Sequence, residues 1–201
     1  KKATPKGETV VSKGAVLRFS GNEIKSKGEI TLEEGSKIGF WGELIALNGN
    51  IKLEGGQSKI YVNENLPRAS RNDEGAYIRP QINGIISGSG GITKVGDGSL
   101  TLTGVNTYTG KTKILKGQIE VIGSLSPETD VEVAKNAVYN VLSSDEINSL
   151  SGEGKVAVER GSMLSVGSGE FSGLIRGDGS LTKSDDEMLI LSGDNTYSGN
   201  T

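Results

Sequence analysis

Gly104-Val105-Asn106-Thr107-Tyr108-Thr109-Gly110 returns 89 positions later as Gly193-Asp194-Asn195-Thr196-Tyr197-Ser198-Gly199. Outward from this pair, residues 84–112 laid on 173–201 agree at fifteen of twenty-nine positions without a gap. A sandwich or barrel has no reason to copy one strand-turn-strand so closely. A solenoid has one, because each coil stacks on its neighbour and meets the same steric problem at the same corner.

The rest of the chain supports this period. Helical periodicity is scarce. Short runs with apolar residues at every second position recur at about ten-residue spacing, the pattern of strands with one buried face. Examples are Glu29-Ile30-Thr31-Leu32-Glu33, Asn50-Ile51-Lys52-Leu53-Glu54, Ser99-Leu100-Thr101-Leu102-Thr103 and Lys155-Val156-Ala157-Val158-Glu159. Gly occupies 31 of 201 positions and apolar residues only 33%, which suits many tight corners better than a helical core. The fold class expected is all-β, a β-solenoid of roughly nine coils at about 20–25 residues each.

Several function classes are excluded by composition. There is no Cys, hence no disulfide and no thiolate chemistry, and no His, hence no Ser-His-Asp or Cys-His site and almost no zinc site. The net charge of −3 offers no basic stripe for nucleic acid. It divides unevenly, +3 over residues 1–83 and −6 over 84–201, a mild asymmetry. No apolar run is long enough for a membrane helix, and no membrane insertion is expected. No cofactor and no metal site is expected.

A weaker echo relates Gly28-Glu-Ile-Thr-Leu-Glu-Glu-Gly-Ser to Gly154-Lys-Val-Ala-Val-Glu-Arg-Gly-Ser at an offset of 126. The first unit therefore carries about 37 extra residues, somewhere between 39 and 83. Residues 42–62 still alternate and read as part of a coil. Residues 63–80 do not, and a long loop leaving the body is expected there, where function tends to sit. It supplies the expected contact residues Arg68, Arg71, Tyr77 and Arg79, joined by Trp41 of the neighbouring Phe40-Trp41 pair. Arginines there could grip sulfated glycans or acidic receptor patches, and Trp41 is read either as core or as an exposed anchor. Lys111, Lys113 and Lys116 form a second basic strip, for which solvation is the simpler explanation. The carboxylate clusters Asp145-Glu146 and Asp185-Asp186-Glu187 read as solvated turns rather than paired catalytic acids. Gly96-Asp97-Gly98 and Gly177-Asp178-Gly179 read as plain tight turns.

The stretch Gly88-Ser-Gly-Gly-Ile-Thr-Lys-Val-Gly-Asp-Gly-Ser-Leu-Thr-Leu-Thr-Gly-Val-Asn-Thr-Tyr-Thr-Gly-Lys-Thr resembles the passenger-associated repeat of bacterial autotransporters, G-x-G-x-L-T-K-x-G-x-G-x-L-x-L-x-G-x-N-x-Y-x-G-x-T. Gly177–Thr201 resembles it again, departing at Lys183-Ser-Asp185-Asp186-Glu187, where acids replace the glycine turn. The resemblance covers about a quarter of the chain. It implies a right-handed parallel β-helix, one passenger piece (residues 1–201) of a longer type V secreted protein, with repeat copies at 84–122 and 173–201. It further implies secretion or outer-membrane surface display in a Gram-negative bacterium, and a C-terminal translocator barrel. Such passengers imply a virulence role. The leading expectation is a non-enzymatic adhesin for a host cell-surface protein or glycan. The alternative is a released effector acting as a growth-factor-like, for example pro-angiogenic, ligand of a host receptor. A carbohydrate-active enzyme is third.

Within the repeats, Gly104, Asn106, Tyr108 and Gly110, with Gly193, Asn195, Tyr197 and Gly199, are expected to be structural punctuation. The asparagines bond turn backbone and the tyrosines cover the corner.

Overall fold

The computed structural model describes residues 7–21, 23–42, 44–63 and 79–201. Every element in them is a short strand. The first coil holds β1 (Thr9–Val11), β2 (Val16–Phe19) and β3 (Glu23–Ser26). The second holds β4 (Ile30–Glu33), β5 (Lys37–Phe40) and β6 (Leu44–Leu47), and the third β7 (Ile51–Glu54), β8 (Gln57–Val62) and β9 (Gln81–Ile82). Next come β10 (Ile86–Gly88), β11 (Gly91–Val95) and β12 (Ser99–Leu102), then β13 (Thr112–Ile114) and β14 (Gly117–Val121). They are followed by β15 (Asp130–Val133), β16 (Ala137–Val141), β17 (Asp145–Gly152) and β18 (Lys155–Val158). The last are β19 (Met163–Phe171), β20 (Leu174–Arg176), β21 (Ser180–Lys183) and β22 (Leu189–Leu191).

Each strand pairs in parallel with the strand one coil away, giving three sheets that wrap a single core. The first sheet runs β1-β4-β7-β10. The second runs from β2 through β5, β8, β11, β13, β15, β17 and β19 to β21, with β22 also on β19. The third runs from β3 through β6, β9, β12, β14, β16 and β18 to β20. This is a β-solenoid of about eight turns, one fewer than the expected nine. The difference lies at one corner. Ile30 pairs with Ile51 and Lys37 with Lys59, steps of 21 and 22 residues. Ile51 then pairs with Ile86 and Ala46 with Gln81, steps of 35. One coil is therefore lengthened between β8 and β9. The expected long loop at 63–80 falls on this corner; all but Asn63, Arg79 and Pro80 of it lie outside the described residues.

The alternation in sequence becomes axial ladders inside. Leu100, Ile119, Tyr139, Val156 and Ile175 stand one above another on the third sheet, all fully buried. Ile38, Ile60, Lys94, Ile114 and Val133 do the same on the second. Each aliphatic rung withdrawn from water contributes about 1.5–3 kcal/mol, and stacking like on like lets short strands share one continuous core.

The framing glycines answer to the same stacking. Gly104 does not need a left-handed backbone, since it is absent from the positive-φ glycines. A Cβ on it would lie 2.5 Å from the carbonyl oxygen of Gly84 in the coil below, and one on Gly193 would strike the carbonyl of Gly173. Glycine is there because two coils touch backbone to backbone.

The two Asn-Thr-Tyr copies occupy different faces. Thr107 N–H donates to Ile86 O at 2.8 Å and extends the first sheet beyond β10. Thr196 N–H donates to Ile175 O at 2.8 Å and extends the third beyond β20. The offset of 89 is thus not a whole number of coils.

Candidate functional site

The lengthened corner is flanked by two constructions. On the second sheet, Arg18, Gly39 and Tyr61 are register partners in successive coils. Trp41 folds back over Gly39, whose missing side chain leaves the ring its seat. The Trp41 ring stacks on Tyr61 with centroids 4.8 Å apart and planes 23° from parallel. The Arg18 guanidinium sits 4.5 Å from the Trp41 centroid. Arg18 belongs to the coil before and Tyr61 to the coil after, so the indole ties three successive coils. Trp41 is half-buried, outside the core ladders, and beneath it Phe40 is fully buried and stacks on Phe19 at 6.0 Å.

On the third sheet, Arg79 enters β9 and ion-pairs with Glu120. Glu120 is buried and also accepts the Gln118 side-chain amide and, at 3.2 Å, the Thr101 hydroxyl. Arg79 therefore directs its charge along the sheet, onto a buried carboxylate that needs it. Of the expected contact residues, Trp41 and Arg79 lie on the two sheets that meet at this corner. Arg68, Arg71 and Tyr77 lie outside the described residues.

The lysine strip is a set of inter-coil ion pairs: Lys111 with Asp130 at 4.0 Å, Lys113 with Glu132 at 3.4 Å, and Lys116 with Asp97 at 3.5 Å. The residues of the repeat make a denser set of bonds. Asn106 Oδ1 accepts Ile86 N–H from the coil below at 2.9 Å. Its Nδ2 donates to Gly104 O at 3.0 Å and to Ser124 O in the coil above at 2.7 Å. Asn195 repeats the downward bond to Ile175 N–H at 2.9 Å. Tyr108 is fully buried, so its ring fills the interior of the corner instead of covering it. Its hydroxyl meets Thr112 Oγ1 at 2.6 Å, and Thr112 meets Thr129 at 3.2 Å. Tyr197 meets Thr201 in the same way at 2.7 Å.

Two groups escaped the sequence reading. Asp145 is no solvated turn. It opens β17 with only 4% exposure, while Glu146 beside it faces outward, so the two carboxyls cannot act as a catalytic pair. Asp145 Oδ1 accepts Leu125 N–H at 2.9 Å and Oδ2 accepts the Tyr139 hydroxyl at 2.5 Å. Burial pushes its carboxyl up to about 6 against these bonds. Leu125 stands twenty residues before Asp145, as Ile86 stands before Asn106 and Ile175 before Asn195. That spacing is the signal that could have found it.

The second group is Lys94, fully buried in an isoleucine ladder. Its ammonium donates to Gly96 O at 2.7 Å, Lys116 O at 3.1 Å and Val95 O at 3.3 Å. Burial brings it down to about 7. The alternation Ile92-x-Lys94 had already put it on the inward face. At the matching corner of the second copy, Lys183 turns instead to Asp185, bonding its backbone carbonyl and, at 2.8 Å, its carboxylate. Among the described residues no cluster of carboxylates could hold a metal ion, and no helix is long and apolar enough to cross a membrane.

Residues 92–121 and 181–201 match the passenger-associated-transport-repeat. The chain fits an autotransporter passenger domain. The two matches fall on the coils stapled by Asn106 and Asn195, so the family's signature here is a stacking device. No curated protein and no solved structure matches the chain. The passenger family implies secretion or outer-membrane surface display, and a C-terminal translocator in the full-length protein. It points to a non-catalytic passenger.

Proposed function

We propose that this passenger stretch is a non-enzymatic scaffold that holds a host-binding segment at one corner of a rigid rod, with adhesion to a host cell-surface protein or glycan as its role. The carrying observation is the register: coils that elsewhere step by about twenty residues step by 35 once, between β8 and β9. A solenoid tolerates such an insertion as a projection on one face, and projections are where solenoids place recognition. Arg68, Arg71 and Tyr77 are assigned the contact. Trp41 and Arg79 are assigned its support, since the indole is held between Arg18 and Tyr61 and Arg79 is held by Glu120.

The test is binding of the purified chain to cultured host cells, with an R68A/R71A/Y77A variant. Loss of binding at an unchanged melting temperature is the expected result, and unchanged binding removes the segment as the contact. Receptor phosphorylation by the soluble chain, without retention of cells on the immobilised chain, would replace adhesion by the released-ligand reading.

A further inference from the structure

We propose that the outer face of the third sheet carries a second binding site, a shallow groove for one or two rings of a neutral saccharide. The outward positions Thr101, Glu120, Asn140, Ala157 and Arg176 form one axial column across β12, β14, β16, β18 and β20. Ala157 is the small member of that column, and its shortness opens a notch between Asn140 and Arg176. Gln118, Val138, Glu159 and Gly177 complete the walls.

The notch contains an unmet need. Asn140 Oδ1 is buried and has no hydrogen-bond partner, the one such side-chain atom among the described residues. A buried acceptor without a donor costs about 1–3 kcal/mol, and native structures keep few of them. Its neighbour in the column does not help, because Glu120 accepts Arg79, Gln118 and Thr101. A molecule seated in the groove supplies the donor in place of water.

The lining states the chemistry of that molecule. Val138 and Ala157 give an apolar floor. Gln118, Asn140, Glu159 and Arg176 put amide, carboxylate and guanidinium groups around it, one coil step of about 4.8 Å apart. Glu159 and Arg176 cancel in charge, and no ion pair joins them among the described residues, which leaves both for a ligand. A pyranose ring offers the complement: C–H groups on its face, and hydroxyls that both donate and accept around its rim. A sulfated or otherwise acidic chain would leave Glu159 opposed. An extended peptide seeks an open sheet edge with free backbone groups, whereas this face offers side chains alone.

The test is a titration of the isotope-labelled 201-residue chain with chitotriose, mannotriose and lactose, and with a heparin tetrasaccharide as the charged arm, read by amide chemical shifts. Shifts centred on Gln118, Asn140, Ala157 and Arg176 with at least one neutral sugar are expected. Asn140→Leu should weaken that binding about tenfold while leaving the melting temperature equal or higher, because it also removes the unmet acceptor. Ala157→Leu should fill the notch and abolish the shifts. The proposal is overturned if no neutral sugar shifts these residues at millimolar concentration, or if only the heparin fragment does. It is equally overturned if Asn140→Leu binds as well as the parent, or melts lower, which would make the amide part of the wall.

Discussion

The Tyr139 hydroxyl donates to the Asp145 carboxylate at 2.5 Å inside the solenoid, two coils above the point where Tyr108 closes on Thr112. This carboxylate accepts from the coil below as Asn106 and Asn195 do at their own corners. Its proton is held more tightly in the folded chain, at about 6, than in an unfolded chain, near 3.8. The stability it brings is complete below the lower value and is lost as pH rises through about 6. The shift corresponds to on the order of 3 kcal/mol. Asp145→Asn keeps an acceptor for Leu125 N–H, as Asn106 does for Ile86. It should therefore remove this fall in stability between pH 4 and 6, measured by denaturant midpoints, and raise the midpoint at pH 7.5. Asp145→Ala should lower it by about 2–4 kcal/mol, since Leu125 N–H and the Tyr139 hydroxyl lose their partner.

Lys94 gives the opposite limb. The folded chain releases this proton at about 7, the unfolded chain near 10.5. Stability on its account is lowest below pH 7 and rises from there toward pH 10.5. Together the two groups place a trough between pH 6 and 7. Lys94→Met should flatten the alkaline limb only, with a net effect within about 2 kcal/mol, because losing the buried charge offsets leaving three carbonyls without a donor. A midpoint that still climbs above pH 7 in this variant would contradict the assignment.

The close approach at Gly104 and the turn at Gly35 predict different substitution patterns. Gly35 has φ of +72° in open space, so Gly35→Asn should cost well under 1 kcal/mol, since asparagine tolerates that backbone. At Gly104 any side chain meets Gly84 O, so Gly104→Ala and Gly104→Asn should both cost about 1–3 kcal/mol by forcing the coils apart. Urea midpoints of the three variants decide this; rescue of Gly104 by asparagine would show that backbone angle, not contact, was the constraint.

Trp41 is the one tryptophan of the chain, which makes its seat observable. A methyl group at Gly39 collides with the indole ring. Gly39→Ala should expel the ring and shift its fluorescence emission to the red. Tyr61→Ala should cost about 0.5–1.5 kcal/mol beyond lost area, the usual worth of an aromatic pair.

The sequence read alone was sufficient for the solenoid, because alternations such as Leu100-x-Leu102 recur between glycine corners and the Gly104-x-Asn106-x-Tyr108 device is written twice, although the two copies fall on different faces. The offset of 126 between the Gly28 and Gly154 echoes, against 89 between the repeat copies, points to an excess between positions 39 and 83, and the register has its 35-residue step there. The sequence did not reveal Asp145, whose neighbours lack the glycine frame that makes Asn106 conspicuous. Nor did it reveal the seat of Trp41, because the meeting of Arg18, Gly39 and Tyr61 depends on coil steps that differ by a residue from one turn to the next. The groove at Asn140 was illegible for the same reason: Ala157 is an ordinary alanine until register puts it between an asparagine and an arginine.

The staples at Asn106 and Asn195 fasten the first and third sheets respectively. A rod braced along a single flank stays easy to bow toward the opposite side. Bracing at two azimuths raises the bending stiffness in two planes, so whatever the rod displays at its lengthened corner is carried at a fixed reach and orientation from its anchorage.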